Sequence, residues 1–289
     1  MRASFAIKIG SVVGVSAVGI TSAAVLYFYA QTKDLVLELM SARLLDIGKA
    51  SSSMFSDDVK ASMKRLKSTI VSDSHVYADR LQALEPGIPT ESMPENVAKK
   101  IMSGKDFQRL SQILRRIRYS SRTVLPPEGD LPPISRDSQD QPVIKFAYMH
   151  FSIPESPDHE IVRWLADADY DAPGEEVAVG SLYRVPQQAV KQAFKGKLAT
   201  EREFVQDKWG PSLTAAFPIL DRNGTVLAVV GLDMNVSNEA NRVEQLWYIC
   251  ITIIAFSLIF SVVLTIALTR VLVKPITALR QGAERVRAR

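Results

Sequence analysis

The chain has 289 residues, 47% of them hydrophobic and 23% charged, with a formal net charge of +4. That composition excludes both a disordered chain and one embedded in lipid throughout, and the length suits one sizeable folded domain plus membrane segments, or two small domains. The basic excess sits at the ends (Arg2 and Lys8, then Arg270 onward) and the middle is slightly acidic, so no nucleic-acid surface is called for. The single cysteine, Cys250, lies in an apolar run, which excludes an intramolecular disulfide and a cysteine-based metal site.

Residues 1–8 form a short basic N-terminus, and residues 9–30 are uncharged over about the length that crosses a bilayer as a helix. Tyr27 and Tyr29 close that run as an interfacial belt does. A cleaved signal peptide is the rival reading, but cleavage after Ala30 would place Phe28 where a small residue is needed. From Gln31 to Leu84 the pattern predicts a long helix. Leu37, Met40, Leu44, Ile47 and Met54 follow three-four spacing, and Phe55, Val59, Met63, Leu66 and Ile70 continue it after a one-residue shift. So narrow an apolar stripe needs a partner, either the chain's own sheet or the same helix in a second subunit.

Glu85-Pro86-Gly87 ends that segment, and a second helix is predicted from Pro94 to Ser120 with Val97, Ile101, Leu110, Leu114 and Ile117 inward. Arg115, Arg116 and Arg118 read as a solvated last turn favoured by the helix dipole, and residues 123–142, rich in proline and acid, as an exposed loop. Strands follow at Val143–Phe151, with Ile144, Phe146, Tyr148 and His150 on one face, at Ile161–Ala166, and briefly at Val177–Tyr183. A helix is predicted over Pro186–Ala199. Two long strand runs then flank Asp221-Arg222-Asn223-Gly224, an Asn-Gly hairpin signal that calls for positive φ. In the second run Val226, Ala228, Val230 and Leu232 share one face, with Leu227, Val229 and Gly231 on the other; both faces are apolar, as in a central strand. Residues 246–268 form a second uncharged run of spanning length, edged by Trp247 and Tyr248. Basic residues before the first run and after the second place both termini in the cytoplasm and residues 31–245 outside. The fold class expected is α+β: a small antiparallel sheet with long N-terminal helices packed on one face, between two transmembrane helices.

Several segments together carry a family resemblance: Asp207-Lys208-Trp209-Gly210, Ala216-Phe217-Pro218-Ile219, Asp221-Arg222-Asn223-Gly224 and Val229-Val230-Gly231-Leu232-Asp233. With them the chain resembles a bacterial transmembrane receptor with a single Cache sensor, the extracytoplasmic relative of PAS domains. The resemblance implies a PAS-like sheet over 143–234 within a sensor domain spanning 31–245. Residues 269–289 resemble the start of a HAMP linker, since Pro275 follows the span and Ile276, Leu279, Ala283 and Val286 keep heptad-like spacing. The expected protein is a homodimeric receptor in the bacterial inner membrane. Its output module, a kinase, cyclase, phosphatase or chemotaxis domain, is expected beyond residue 289.

No nucleophile-base pairing, phosphate loop, His-x-x-x-His spacing or cyclase signature appears in the sequence, so no catalytic residue, cofactor or metal ligand is assigned. The resemblance implies a ligand held against the sheet, for which the candidates are Tyr148, His150, Arg163, Tyr183, Arg184, Trp209 and Asp233, with Trp164 beside them. A carboxylate such as Asp233 suits a ligand amine, Arg163 or Arg184 a ligand carboxylate, and the tyrosines an apolar wall with a polar tip. An amino acid, a small carboxylate or an amine fits that set. Structural roles are open to the same residues: Asp233 as a strand-end acceptor, the tryptophans as core anchors, His150 as a core histidine. An ectodomain without a small ligand, serving dimerisation or partner docking, is the alternative.

Overall fold

The computed structural model describes residues 5–73, 81–122, 128–132, 142–172, 177–207, 209–268 and 270–271. Two compact units emerge, one from Met1–Val36 with Asn241–Arg289 and the other from Leu37–Ala240. Helix α1 (Phe5–Ser52) begins in the first unit, so the helix predicted after residue 30 does continue directly from the first apolar run. The other helix of that unit is the one that ends the described chain, Ser237–Leu268. Both are long and apolar enough to cross a membrane, and their large side chains, among them Val15, Ile20, Phe256 and Ile259, are exposed. Small residues set their contact: Thr265 Oγ1 donates to the Gly10 carbonyl at 3.1 Å, and a Cβ at Gly14 would overlap Ser261 Oγ. Toward the other end of the two helices, the Tyr29 and Trp247 rings lie 5.2 Å apart.

In the second unit the predicted 31–84 helix breaks at Ser53–Ser56, where the apolar stripe slips by one residue, and α2 runs Asp57–Asp73. The slip turns Phe55 inward, onto Phe217 of the sheet at 6.1 Å. Residues 74–80 of that predicted helix lie outside the described residues. The second predicted helix is also two: α3 (Glu95–Met102) and α4 (Lys105–Ser120), divided at Gly104, whose extended backbone (ψ 150°) caps α4. Ile101, Leu110, Leu114 and Ile117 are buried as expected.

The strands are β1 (Ile144–Ser152), β2 (Ile161–Asp167), β3 (Leu182–Arg184), β4 (Ala199–Thr200), β5 (Val205–Asp207), β6 (Gly210–Leu220) and β7 (Val226–Asn235), with helix α5 (Gln188–Phe194) after β3. They form one antiparallel sheet in the order β3-β2-β1-β7-β6-β4, with β5 also on β6. β7 is central, as its two apolar faces require.

One face carries Ala147, Met149, Leu165, Val230 and Leu232 and packs on α1, α2 and α4 through Leu44, Met63, Leu66 and Leu114. The other carries Tyr148, Val162, Trp164 and Val229 and packs on Val190 and Ala193 of α5. Helices therefore cover both faces, not one. A bulge between Ile144 and Phe146 turns Ile144 onto the first face, away from Phe146, Tyr148 and His150. A second shift, at Ile219/Leu220, separates Val226 from Ala228 in the same way.

The β6–β7 turn differs from the expected two-residue Asn-Gly form. Gly224 alone has positive φ (80°), and Asp221 Oδ1 accepts from the Asn223 and Thr225 amides at 2.9 Å each. That is a longer loop with a left-handed glycine. The arginines ending α4 also depart from expectation. Arg115 and Arg118 are buried and ion-paired with Asp171 and Asp169 of the segment leaving β2, while Arg116 is exposed. Arg115 Nε also donates to the Ala168 carbonyl at 2.7 Å, so α4 clamps the exit of β2.

Candidate ligand-binding site

The aromatic face of the sheet is built by pairing. Antiparallel register sets Phe146 opposite Asp233, Tyr148 opposite Gly231 on one side and Asp167 on the other, and Asp233 opposite Thr214. Gly231 is required there: a Cβ at that position would overlap the Tyr148 ring, which lies over β7. With that space free, the Tyr148 hydroxyl donates to Asp233 Oδ1 at 3.1 Å, and Thr214 Oγ1 donates to the same oxygen at 2.8 Å. Asp233 is 2% exposed.

Across β1, the Trp164 indole N–H donates to Asp167 Oδ2 at 3.2 Å, and the Asp169 amide donates to Asp167 Oδ1 at 2.8 Å. Burial, and then the neighbouring Asp169 carboxylate, push Asp167 up to about 8. The Trp164 ring lies 5.2 Å from Tyr148 and 5.4 Å from Tyr183. Trp209 sits in the turn that pairs Asp207 with Gly210, where Gly210 takes φ 105°. Its ring reaches Phe146 at 5.8 Å and Trp164 at 6.3 Å, and its carbonyl accepts from Lys145 Nζ at 2.8 Å.

These side chains enclose a cavity lined by Phe146, Tyr148, Trp164, Asp167, Tyr183, Trp209 and Asp233. Its room is small. About 10 Å³ is open to the centre of a water-sized sphere, within about 300 Å³ of non-atom space that includes open solvent. That is space for about one water molecule.

Four of the seven sequence candidates, Tyr148, Tyr183, Trp209 and Asp233, therefore line one cavity. His150 lies behind it, fully buried, 4.3 Å from the Trp164 ring and stacked at 5.5 Å on Tyr183. Neither of its ring nitrogens has a hydrogen-bond partner among the described residues, and desolvation lowers its pKa to about 3, so the imidazole is neutral. The arginines are elsewhere. Arg163 is 2% exposed on β2 and does not line the cavity; burial lowers its pKa, against the opposing pull of Glu155. Arg184 donates to the carbonyls of Leu84 (2.9 Å) and Leu81 (2.7 Å) and pairs with Glu160, a tether between β3 and the segment that precedes α3.

Sequence reasoning passed over Asp167 and Phe146. Phe146 shows its signal in strict alternation with Tyr148. Asp167 sits in the acidic run Asp167-Ala168-Asp169-Tyr170-Asp171, and only the strand register sets it opposite Tyr148. Among the described residues no group of three or more His, Cys, Asp or Glu side chains is placed to hold a metal ion.

Comparison with known proteins is sparse. No family model and no curated protein matches the sequence. A solved structure, the periplasmic sensory domain of the Campylobacter jejuni chemoreceptor Tlp1, aligns with 71% of this chain at 13% identity and a TM-score of 0.24. The chain covers 63% of that domain's length. A likeness of that size carries no argument about function.

Proposed function

We propose that the chain is the input half of a bacterial transmembrane signalling receptor, with residues 31–245 outside the membrane as a PAS-like sensor that holds a small ligand against the aromatic face of its sheet. The observation that carries the reading is the convergence of five aromatic rings and two buried carboxylates on one cavity, beside the strand that leads into the last helix. Asp233 lies on β7, which ends at Asn235, and the helix Ser237–Leu268 (α6) follows after Val236. In this reading a ligand shifts β7, α6 carries the shift through the membrane, and a HAMP linker over 269–289 passes it to an output module. Signalling of this kind requires only that the ligand prefer one state over the other. Exposed Leu39 on α1 and Val71 on α2 offer apolar contacts for the homodimer.

A second reading, an ectodomain that docks a partner or dimerises without a ligand, is favoured by the small room in the cavity. Thermal-shift screening of the full chain in maltoside micelles against amino acids, carboxylates and amines decides between them. The sensor reading expects at least one compound to raise the melting temperature in a saturable way, since binding to the folded state adds stability, with loss of the shift in Trp209→Ala. A flat screen overturns it in favour of the second.

A further inference from the structure

Two asparagines of the chain open an Asn-x-Ser/Thr sequence, Asn223-Gly224-Thr225 and Asn235-Val236-Ser237, and in both an aspartate stands two residues before the asparagine. Asn-x-Ser/Thr without proline in the middle is the acceptor signal for N-linked glycans, and its stricter bacterial form adds an acidic residue at that place. Sequence alone does not separate the two stretches. Their places in the fold do.

Asn235 is the last residue of β7, paired with Ser212 of β6, and Ser237 already begins α6. The stretch is held by the ladder on one side and the helix on the other. It cannot bend around an enzyme's acceptor pocket without unpairing the strand that leads into α6. Asn223 stands at the free end of the β6–β7 hairpin. Residues Arg222 to Thr225 are exposed, and the chain already turns there, with Gly224 at φ 80° and its amide donating to the Asp221 carbonyl at 3.1 Å. Asp221 Oδ1 accepts only backbone amides, those of Asn223 and Thr225, and Arg222 is engaged with Asp57 of α2. The groups that a transferase reads are left over: among the described residues neither the Asn223 carboxamide nor the Thr225 hydroxyl has a hydrogen-bond partner. The bonds that hold the tip are local and solvent-exposed, so it opens while the ladder behind it stays paired.

We propose that Asn223 is a glycosylation site, at which an oligosaccharyltransferase outside the membrane attaches an oligosaccharide carried on a lipid diphosphate. Asn223 Nδ2 bonds to the anomeric carbon of the sugar as the bond from that carbon to the phosphate oxygen breaks. The lipid diphosphate leaves with the electron pair, and Nδ2 gives up one proton to a base of the transferase. Thr225 does not react; its hydroxyl is the point two residues on by which the enzyme holds the acceptor. The inference rests on the placing of residues 31–245 outside the membrane, and on nothing in the cavity. The tip is at the opposite end of β7 from Asp233 and α6, so a glycan there leaves both clear.

The test is mass spectrometry of the full chain, intact and as peptides, purified in maltoside from the membranes of the bacterium that encodes it. The expected result is an oligosaccharide on the peptide that carries Asn223, lost in Asn223→Gln and in Thr225→Ala and kept in Thr225→Ser and in Asn235→Gln. A chain without the oligosaccharide, or with one that survives Asn223→Gln, overturns the inference. Labelling of Asn223→Cys in a Cys250→Ala background with a membrane-impermeant maleimide, in intact cells, separates that failure from a failure of the topology. A labelled cysteine with a bare wild-type chain removes the glycosylation site and leaves the topology standing; an unlabelled cysteine removes both. The ligand reading falls only on the flat screen.

Discussion

A methyl group at position 231 would claim the space that the Tyr148 ring occupies, and a rigid ring cannot swing away as a flexible chain does. Gly231→Ala is expected to cost about 1–3 kcal/mol, as overpacking does, and to part the Tyr148 hydroxyl from Asp233. Chemical denaturation of the full chain checks the cost. Two buried groups on the same face respond to pH with opposite sign. His150, held near 3 when folded against 6.5 as a free group, contributes stability that is present above pH 6.5 and lost as pH falls toward 3. Asp167, raised from 3.8 to about 8, contributes stability that is full below 3.8 and lost as pH rises toward 8; Glu201, raised by burial, acts in the same direction. Between about pH 4.5 and 6.5 the two trends oppose each other. His150→Phe is expected to unmask stability that falls with rising pH, and Asp167→Asn stability that rises, in melts at pH 4.5, 5.5 and 6.5; parallel profiles for the two variants would contradict the assignment. Of the cavity residues, Tyr148, Tyr183, Trp209 and Asp233 were legible in the sequence, because each stands on a strand or turn with a clear signal. Asp167 was not, because its partner is fixed by a strand register that no local pattern states.

At the level of elements, α4 is fastened to the sheet by charge as much as by apolar contact. The Arg118–Asp169 pair is buried on both sides, with side chains 6% and 4% exposed. Removing Asp169 strands the buried Arg118 charge, so Asp169→Leu is expected to cost about 3–5 kcal/mol, whereas Asp169→Leu with Arg118→Met recovers most of the loss. Denaturant titration of the two variants distinguishes this from a surface pair, which would cost under about 1 kcal/mol. The arginine run looks solvated when read alone, since burial of a charge depends on meeting its complement from a distant segment. Element positions were legible where periodicity is strong: the central β7, the β6–β7 hairpin, the inward face of α4. Breaks were less so. The Ser53–Ser56 interruption is written in the sequence as the stripe's slip, but Gly104 divides α3 from α4 within an otherwise unbroken pattern, and single glycines are tolerated inside helices.

For the whole molecule, the two apolar helices were the plainest feature of the sequence, because span length and lack of charge need no tertiary context. The proposed topology is checked by cysteine labelling in intact cells. With Cys250→Ala as background, Asn223→Cys at the exposed β6–β7 tip is expected to react with a membrane-impermeant maleimide and Arg270→Cys is not. The predicted HAMP start beyond Val271 lies outside the described residues. One arrangement already described has an optical consequence. The chain has three tryptophans; Trp164 and Trp209 are walls of the cavity, and Trp247 lies tilted against Tyr29 in the apolar helices. Trp247→Phe would leave a protein whose entire indole emission originates at the cavity. A change in the polarity around either ring would then shift that emission, so the protein would report on the cavity without a dye.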